Sequence, residues 1–225
     1  TRYWRDWSSD VCSSDLEAIA LHSNSISCRT RNKKREEINA QEEQNLKLRV
    51  LAEVGKKGGK QLAEASGQIS DLSHKSIQEL SERICEMAKL APPDNSIGLA
   101  EPNCLAKKTQ NLDCNDPNTP TGDNLLAQCR KMEDAGRAIP KITATEAVQA
   151  AFARSHILHR ASNGLNYSQT STFSSISAAM VAGKSAEMEV DWEASTARHA
   201  EDLEKPENLA RKAAQREIGR ASCRE

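Results

Sequence analysis

The stretch Gln61–Ala91, QLAEASGQISDLSHKSIQELSERICEMAKLA, decides the fold prediction. Its apolar residues recur every three or four positions, in two series separated by a one-residue slip: Leu62, Ala65, Ile69 and Leu72, then Ile77, Leu80, Ile84, Met87 and Ala91. Residues at that spacing share one face of an α-helix, and the charged residues between them fall off that face. The stretch therefore predicts one long amphipathic helix, which Pro92 and Pro93 end.

The sequence on either side predicts further helices and few or no strands. No segment alternates convincingly between apolar and polar residues, which is the pattern of a half-buried strand. Glycines at 55, 58 and 59 end a charged helix, and Pro206 suits the first turn of the last one. The additional predicted helices are Arg31–Val54, Asn124–Ala135, Thr145–His159, one or two within Ser175–Glu204, and Glu207–Arg216. The predicted fold class is mainly α, with helical segments around an irregular loop.

That loop, residues 92–123, sets the predicted domain organisation. It holds five of the seven prolines, and it divides the two long helices of 17–91 from the shorter helices of 124–216, which have a Ser/Asn-rich break near 161–177. Its oxygen donors do not follow the order of a calcium-binding EF-hand, and Asn and Asp beside Pro are turn formers. These donors are Asp113, Asn115, Asp116, Asn118 and Asp123.

Both ends of the chain differ in character from the interior. Asp6–Leu16, D-W-S-S-D-V-C-S-S-D-L, resembles one reading frame of a common short-read sequencing adapter, and Glu217–Glu225, E-I-G-R-A-S-C-R-E, resembles the partner adapter. The resemblance implies that residues 1–16 and 217–225 are disordered artefacts and that 17–216 is one fragment of a gene. Segments of this kind are excluded before fold reasoning.

Charge and hydropathy exclude two classes of partner. The chain carries 31 Lys and Arg against 32 Asp and Glu, and no basic patch interleaves with aromatic residues, so no nucleic-acid partner is predicted. No apolar run approaches the roughly 20 residues that span a bilayer, so no membrane span is predicted. No cofactor is predicted either.

Cysteines carry the prediction of an oxidising compartment. Of the seven, Cys12 and Cys223 lie in the adapter-like ends and Cys28 stands apart, whereas Cys85, Cys104, Cys114 and Cys129 surround the proline-rich loop. Two disulfides among these four would fasten the loop to the neighbouring helices, although their sequence positions allow three connectivities. Reduced thiols are the alternative. Metal ligation is disfavoured because no C-x₂-C pair is present.

Residues 178–185, AAMVAGKS, fit the loose phosphate-loop pattern [AG]-x₄-G-K-[ST]. In such a loop Gly183 would bring the backbone to the phosphates, Lys184 would neutralise them, and Ser185 would hold Mg²⁺. The chemistry needs a buried parallel strand before the loop, and the hydroxyl-rich residues 171–177 do not predict one. A helix passing through these residues is the favoured interpretation, with nucleotide binding as the alternative.

His156 and His159 are three residues apart on the predicted helix Thr145–His159, so they would share a face and are metal-ligand candidates. Arg154 and Arg160 flank them, and their positive charge opposes a cation. Surface histidines are the favoured interpretation. No Ser/His/Asp or Cys/His arrangement marks a catalytic centre, and no catalytic residue is predicted.

Helical segments, a cysteine-bearing loop and neutral charge favour a non-enzymatic interaction protein. In composition and organisation the chain is similar to helical periplasmic accessory subunits of bacterial conjugation and type IV secretion machinery, which implies a periplasmic or secreted location and a protein partner, with a homo-oligomer also possible. The alternatives are a truncated enzyme or NTPase and a cytoplasmic coiled-coil regulator. The predicted contact face of the amphipathic helix, which packing inside its own protein would equally explain, consists of Leu62, Ile69, Leu72, Ile77, Leu80, Ile84 and Met87.

Overall fold

The computed structural model describes residues 14–33, 35–54, 61–106, 108, 110–183 and 188–222, without the side chains of residues 14, 35 and 219–222. Strands account for 48% and three α-helices for 27%. The predicted mainly-α fold is therefore wrong, and the protein is mainly antiparallel β.

Six strands and three helices make up the described chain. They are β1 (Ser14–Arg31), β2 (Arg35–Val54), β3 (Gln61–Ile69), α1 (His74–Leu90), α2 (Gly122–Arg137), β4 (Ile142–Ala161), β5 (Asn166–Ala182), β6 (Glu189–Ala197) and α3 (Pro206–Ser222). The strands form one sheet in the order β3-β2-β1-β4-β5-β6. The two outer pairs, β2 with β3 and β5 with β6, are antiparallel.

The stretch Gln61–Ala91 is a strand followed by a helix, and the one-residue slip in its periodicity marks the boundary. In β3 the buried residues Ala63 and Ala65 alternate with more exposed neighbours, so Leu62 and Ala65 lie on opposite faces of the sheet. α1 begins after Ser73, whose side chain accepts a hydrogen bond from the backbone N–H of Ser76 at 3.3 Å. Such N-caps satisfy amide groups that the helix leaves without partners.

Of the other predicted helices, some are confirmed and some are wrong. The helices at Asn124–Ala135 and Glu207–Arg216 are confirmed as parts of α2 and α3. The predicted helices at Arg31–Val54, Thr145–His159 and Ser175–Glu204 are wrong, because β2, β4, and β5 with β6 occupy them. The break predicted at 161–177 is also wrong beyond the turn at Gly164, since β5 begins at Asn166.

The described chain divides into two compact units. Unit 1 takes its residues from 1–23, 43–111 and 156–169, and unit 2 from 24–42, 112–155 and 170–225. In unit 1 α1 packs on β3, and a glycine allows the close approach: a Cβ at Gly67 would lie 3.0 Å from side-chain carbons of both Leu80 and Ile84. The core of unit 1 consists of Ala18, Leu46, Leu48, Val50, Ala52, Ala65, Leu80, Ile84, Cys85 and Ala88.

Unit 2 has its own core, built by α2 and α3 against strand residues. Gly136 of α2 contacts the side chain of Met180, which occupies the space that a Cβ would need. The core consists of Cys28, Leu125, Leu126, Cys129, Met132, Val148, Ala150, Phe152, Ile176, Ala178, Met180, Leu209, Ala210, Ala213 and Ala214. Small alanines on α3 let this helix lie close to its neighbours.

The disorder predicted near the two ends of the chain needs correction. Leu16 lies in β1 and packs against the core of unit 1, and α3 continues to Ser222 with Glu217 buried inside unit 2. The predicted disorder of residues 14–16 and 217–222 is therefore wrong, whereas the adapter boundaries at Leu16 and Glu217 stay predictions. Residues 1–13 and 223–225 lie outside the described part of the chain. None of the described helices is long and apolar enough to cross a membrane.

The predicted disulfides are also wrong. Cys85, Cys104, Cys114 and Cys129 form no disulfide, and neither does Cys28. Cys85 belongs to the core of unit 1 and Cys129 to that of unit 2, where both serve as small apolar side chains. Burial raises the pKa of the Cys129 thiol to about 12, so this side chain stays protonated. The support for an oxidising compartment is thereby removed.

Candidate functional site

β6 is the last strand in the sheet order, and it is the candidate functional element of unit 2. One edge pairs with β5 along its whole length, with Val190 opposite Val181, Trp192 opposite Ala179 and Ala194 opposite Ser177. No described strand pairs with the other edge. Unpaired edges are sites where another polypeptide can add as a strand.

A hydrogen bond identifies which residues face the open edge. The backbone N–H of Trp192 donates to Asp191 Oδ1 at 2.8 Å, and therefore points away from β5. Because alternate residues of an antiparallel strand point their backbone groups in the same direction, Val190, Ala194 and Thr196 also present theirs at the outer edge.

The same residues carry the exposed side chains. Trp192 is 64% exposed and Val190 is 49% exposed, and Met188, just before the strand, is 57% exposed. Ala194 and Thr196 continue this exposed face. Apolar side chains and outward backbone groups therefore coincide on one set of alternating residues.

The opposite face of β6 is fixed by α3 and the segment that leads to it. Arg216 pairs with the Glu193 carboxylate at 2.7 Å, and the backbone N–H of Glu204 donates to Ser195 Oγ at 3.1 Å. The Glu193 side chain is only 19% exposed. These contacts hold β6 in place from one side and leave its other face and outer edge accessible.

The strand at the other end of the order is less open. In unit 1 the backbone N–H of Asp94, just beyond α1, donates to the carbonyl of Leu62 in β3 at 2.8 Å. Proteins commonly cover edge strands in this way to prevent unwanted pairing. β6 lacks such a cover within the described residues.

A polar junction fixes the end of β6 to the loop before α2. The Thr172 hydroxyl of β5 donates to the carbonyl of Arg198 at 2.7 Å, and the Arg198 guanidinium donates to the carbonyl of Thr172 at 3.0 Å. The buried Asp116 carboxylate accepts from the backbone N–H groups of Ala200 and Asn118 at 2.8 and 2.9 Å. The loop was predicted to consist of turn formers, and Asp116 acts here as one.

Two side chains of this junction have shifted pKa values. The backbone N–H groups of Ala200 and Asn118 stabilise the Asp116 carboxylate and lower its pKa, against the opposing effect of burial. His199 Nε2 lies 2.9 Å from the carbonyl oxygen of Asp113 and 3.4 Å from its carboxylate. The hydrogen bond to the carbonyl, together with the carboxylates of Asp113, Asp116 and Asp202, raises the pKa of His199.

Unit 1 carries a row of charges across four strands, Glu64–Arg49–Glu17–His159. Arg49 donates to Glu64 at 2.7 Å and to Glu17 at 3.1 Å, and His159 Nε2 lies 2.6 Å from Glu17. Burial opposes ionisation of Glu17, but hydrogen bonds from Arg49 and His159 outweigh it, so its pKa is lowered. The hydrogen bond to Glu64 is the main cause of a raised Arg49 pKa.

The histidine pair predicted from the sequence does not converge. His156 and His159 lie on a strand, where side chains three residues apart point to opposite faces. His159 contacts Glu17, and His156 lies 3.4 Å from the Ser168 hydroxyl. Among the described residues no three His, Cys, Asp or Glu side chains come together as a metal site.

Of the phosphate-loop candidates, only Gly183 is described. It follows β5 with a φ of +82°, a conformation that favours glycine. β5 is antiparallel to β6, and within the part of the chain that the structure describes no parallel strand and helix frame Gly183 as nucleotide binding requires. Lys184 and Ser185 lie outside the described residues.

Residues 115–220 match the family model of the PmbA/TldA metallopeptidase central domain. The matched region contains α2, β4, β5, β6 and most of α3, and thus the open edge and the polar junction. A search of curated proteins gives no match.

Three solved structures share the fold. A protein from Bacteroides thetaiotaomicron, described as a proposed modulator of DNA gyrase, superposes with a TM-score of 0.79 at 16% identity over 96% of this chain and 49% of its own. TldE from Thermococcus kodakarensis superposes with a TM-score of 0.76 at 17% identity, over 96% of this chain and 47% of its own. A second proposed gyrase modulator, from Thermotoga maritima, superposes with a TM-score of 0.74 at 14% identity, over 91% of this chain and 44% of its own.

These matches correct the functional interpretation. The chain spans less than half the length of the three solved chains, and identities this low establish the fold alone. The similarity to conjugation and secretion accessory proteins is wrong, as are the coiled-coil and NTPase alternatives, because residues 115–220 match the PmbA/TldA central domain and the fold is antiparallel β. A protein partner for the face of Leu62 to Met87 stays a prediction. Ile84 of that face is buried in unit 1 and Met87 is half exposed.

Proposed function

We propose that this chain is the polypeptide-binding scaffold of a PmbA/TldA-type metallopeptidase, and that the outer edge of β6 binds an extended polypeptide. The observation that carries the proposal is the coincidence, on Val190, Trp192, Ala194 and Thr196, of outward backbone groups and exposed side chains. Main-chain hydrogen bonds at such an edge give affinity without demanding a sequence, and side-chain contacts on alternate residues add selectivity.

The family's description as a metallopeptidase supports a polypeptide as the bound partner. A metal centre, by contrast, does not fit the described residues, since no three ligand side chains converge there. His159 is bound to Glu17 beside the Arg49 guanidinium, an arrangement unfavourable to a cation. No hydrolytic step is therefore assigned to these residues.

The proposal is tested by placing proline in the open edge. Proline lacks the N–H group, so Ala194→Pro removes one outward donor, and a proline is tolerated on an edge strand when its N–H would face solvent. The probe is a fluorescein-labelled ten-residue peptide of alternating valine and lysine. Valine favours the extended conformation, and lysine keeps the peptide soluble and limits its self-association.

We expect fluorescence anisotropy to show binding to the full chain, and Ala194→Pro to weaken it about tenfold, the equivalent of about 1.4 kcal/mol. Ala194→Val is the matched control, because it keeps the N–H and should bind as the parent does. Both variants must retain the circular dichroism spectrum of the parent. Equal binding by the proline and valine variants would exclude strand addition at this edge.

A further inference from the structure

A histidine lies two residues beyond the candidate binding strand. β6 ends at Ala197, Arg198 bonds to Thr172, and His199 follows. The His199 side chain is only 18% exposed, whereas the Asp113 carboxylate it meets is 85% exposed. His199 is thus held in place while its charge partner remains accessible to water.

We propose that His199 is a pH-sensitive latch, which when protonated fastens the end of β6 to the loop before α2 and when neutral loosens it. The inference rests on the proposed function, because it assigns regulation to the same strand. It concerns binding by β6 and no chemical step.

The charged groups that face His199 decide whether its protonated or its neutral form is favoured. Asp113 and Asp116 approach from the loop, and Asp202 lies on the same turn as His199. Of the neighbouring cations, Arg198 is directed to the carbonyl of Thr172. Arg154 of β4 is directed to the carbonyl of Asp116 and the hydroxyl of Thr119. Carboxylates therefore dominate around the imidazole, and they favour its charged form.

His199 makes two distinct interactions with Asp113, a hydrogen bond to its carbonyl and an attraction to its carboxylate. The Nε2–H group can donate to the carbonyl of Asp113 in either protonation state, provided that the proton of the neutral ring is on Nε2. The attraction to the Asp113 carboxylate 3.4 Å away, in contrast, exists only for the imidazolium. Loss of the proton therefore weakens the latch without abolishing it.

The sign of the pH dependence follows. Because the folded protein raises the pKa of His199, the latch contributes fully below the ordinary histidine value of 6.5 and is lost as pH rises through the folded value. Asp116 titrates at the other extreme, with a lowered pKa, so it remains charged across the range in which His199 changes. The end of β6 is thus tightest at mildly acidic pH.

Two variants isolate the charge. Asp113→Asn keeps the backbone carbonyl and removes the carboxylate, so the His199 pKa, followed by the chemical shift of its ring proton in NMR, should fall towards the ordinary value. His199→Gln keeps a neutral donor at every pH.

The functional readout is hydrogen exchange at Ser195 and Ala197, whose backbone N–H groups point towards β5, corrected for the intrinsic pH dependence of exchange. We expect protection in the parent chain to fall about two- to fivefold between pH 6 and pH 8, and to be independent of pH in His199→Gln. An unchanged His199 pKa in Asp113→Asn, or equal protection at both pH values in the parent, would overturn the latch. Both measurements use the chain without peptide, so failure of the latch is distinguishable from failure of polypeptide binding.

Discussion

Two polar networks, one in each unit, hold strands together by different means. In unit 1 the row Glu64–Arg49–Glu17–His159 joins four strands through charged side chains that remain 19–34% exposed. In unit 2 Glu133 is 1% exposed and is satisfied by neutral donors, the Thr145 hydroxyl at 2.5 Å and the backbone N–H of Lys33 at 3.3 Å. Water screens the first network and is excluded from the second.

The buried network fixes a turn that is strained on its own. Asn32 and Lys33, between β1 and β2, both have positive φ, at 53° and 55°, a conformation that residues other than glycine rarely adopt. Asn32 Oδ1 accepts from the backbone N–H of Thr145 at 2.8 Å. Glu133 therefore acts as an anchor for the hairpin, whereas the charged row of unit 1 supplements strands already paired by their backbones. The two networks should differ in how much they contribute to stability.

The largest effect is expected from Glu133→Ala. The change removes the acceptor of the buried Thr145 hydroxyl and of the Lys33 N–H, and such a loss costs about 3 kcal/mol. Urea denaturation followed by circular dichroism measures the free energy of unfolding. Thr145→Val combined with Glu133→Ala should cost less than the sum of the single changes. Strict additivity would show that the two side chains are not coupled.

A smaller effect is expected from Arg49→Met, which removes the centre of the charged row. Exposed and half-exposed ion pairs contribute up to about 1 kcal/mol, so the same denaturation experiment should give a loss of that size. The loss should shrink in 1 M NaCl because salt screens the pairs. Arg83→Met, at an exposed position on α1, is the matched control. A salt-independent loss would mean that Arg49 acts through the packing of its aliphatic part.

The smallest effect is expected from Glu17→Gln, and it should depend on pH. The lowered pKa of Glu17 means that its contribution is present above its ordinary value of 4.5 and is lost as pH falls through the folded value. Glu17→Gln should therefore reduce stability at pH 6 and leave it unchanged at pH 2. Thermal unfolding of both proteins at these two pH values makes the comparison. If the two proteins differed in stability by the same amount at both pH values, the charge of Glu17 would not be the cause.

Sequence alone predicted the elements whose signals are local. α2 and α3 were found because a helical pattern coincided with a turn before the first and with Pro206 at the start of the second. β4 was missed because alanine, a strong helix former, recurs within it at 144, 147, 150, 151 and 153. The first half of β2 was missed because both of its faces are exposed and charged, so no alternation marks it.

The candidate site was only partly within reach of the sequence. Residues 190–193, V-D-W-E, alternate between apolar and acidic residues, which is a strand signal that could have been recognised. Asp116 and His199, in contrast, are more than 80 residues apart and meet through the turn at Ala200. Glu133 and Lys33 are 100 residues apart. Contacts of that separation depend on the sheet order, which no local pattern specifies.

The contact between Gly136 and Met180 also means that the oxidation rate of Met180 reports the opening of unit 2. Met180 is fully buried with its thioether in the space of a missing side chain, and there is no room there for the extra oxygen of a sulfoxide. Peroxide can reach it only when unit 2 opens, whereas the half-exposed Met87 reacts in the folded chain. The ratio of the two oxidation rates, read from peptide masses in one sample, therefore reports how often the core of unit 2 opens.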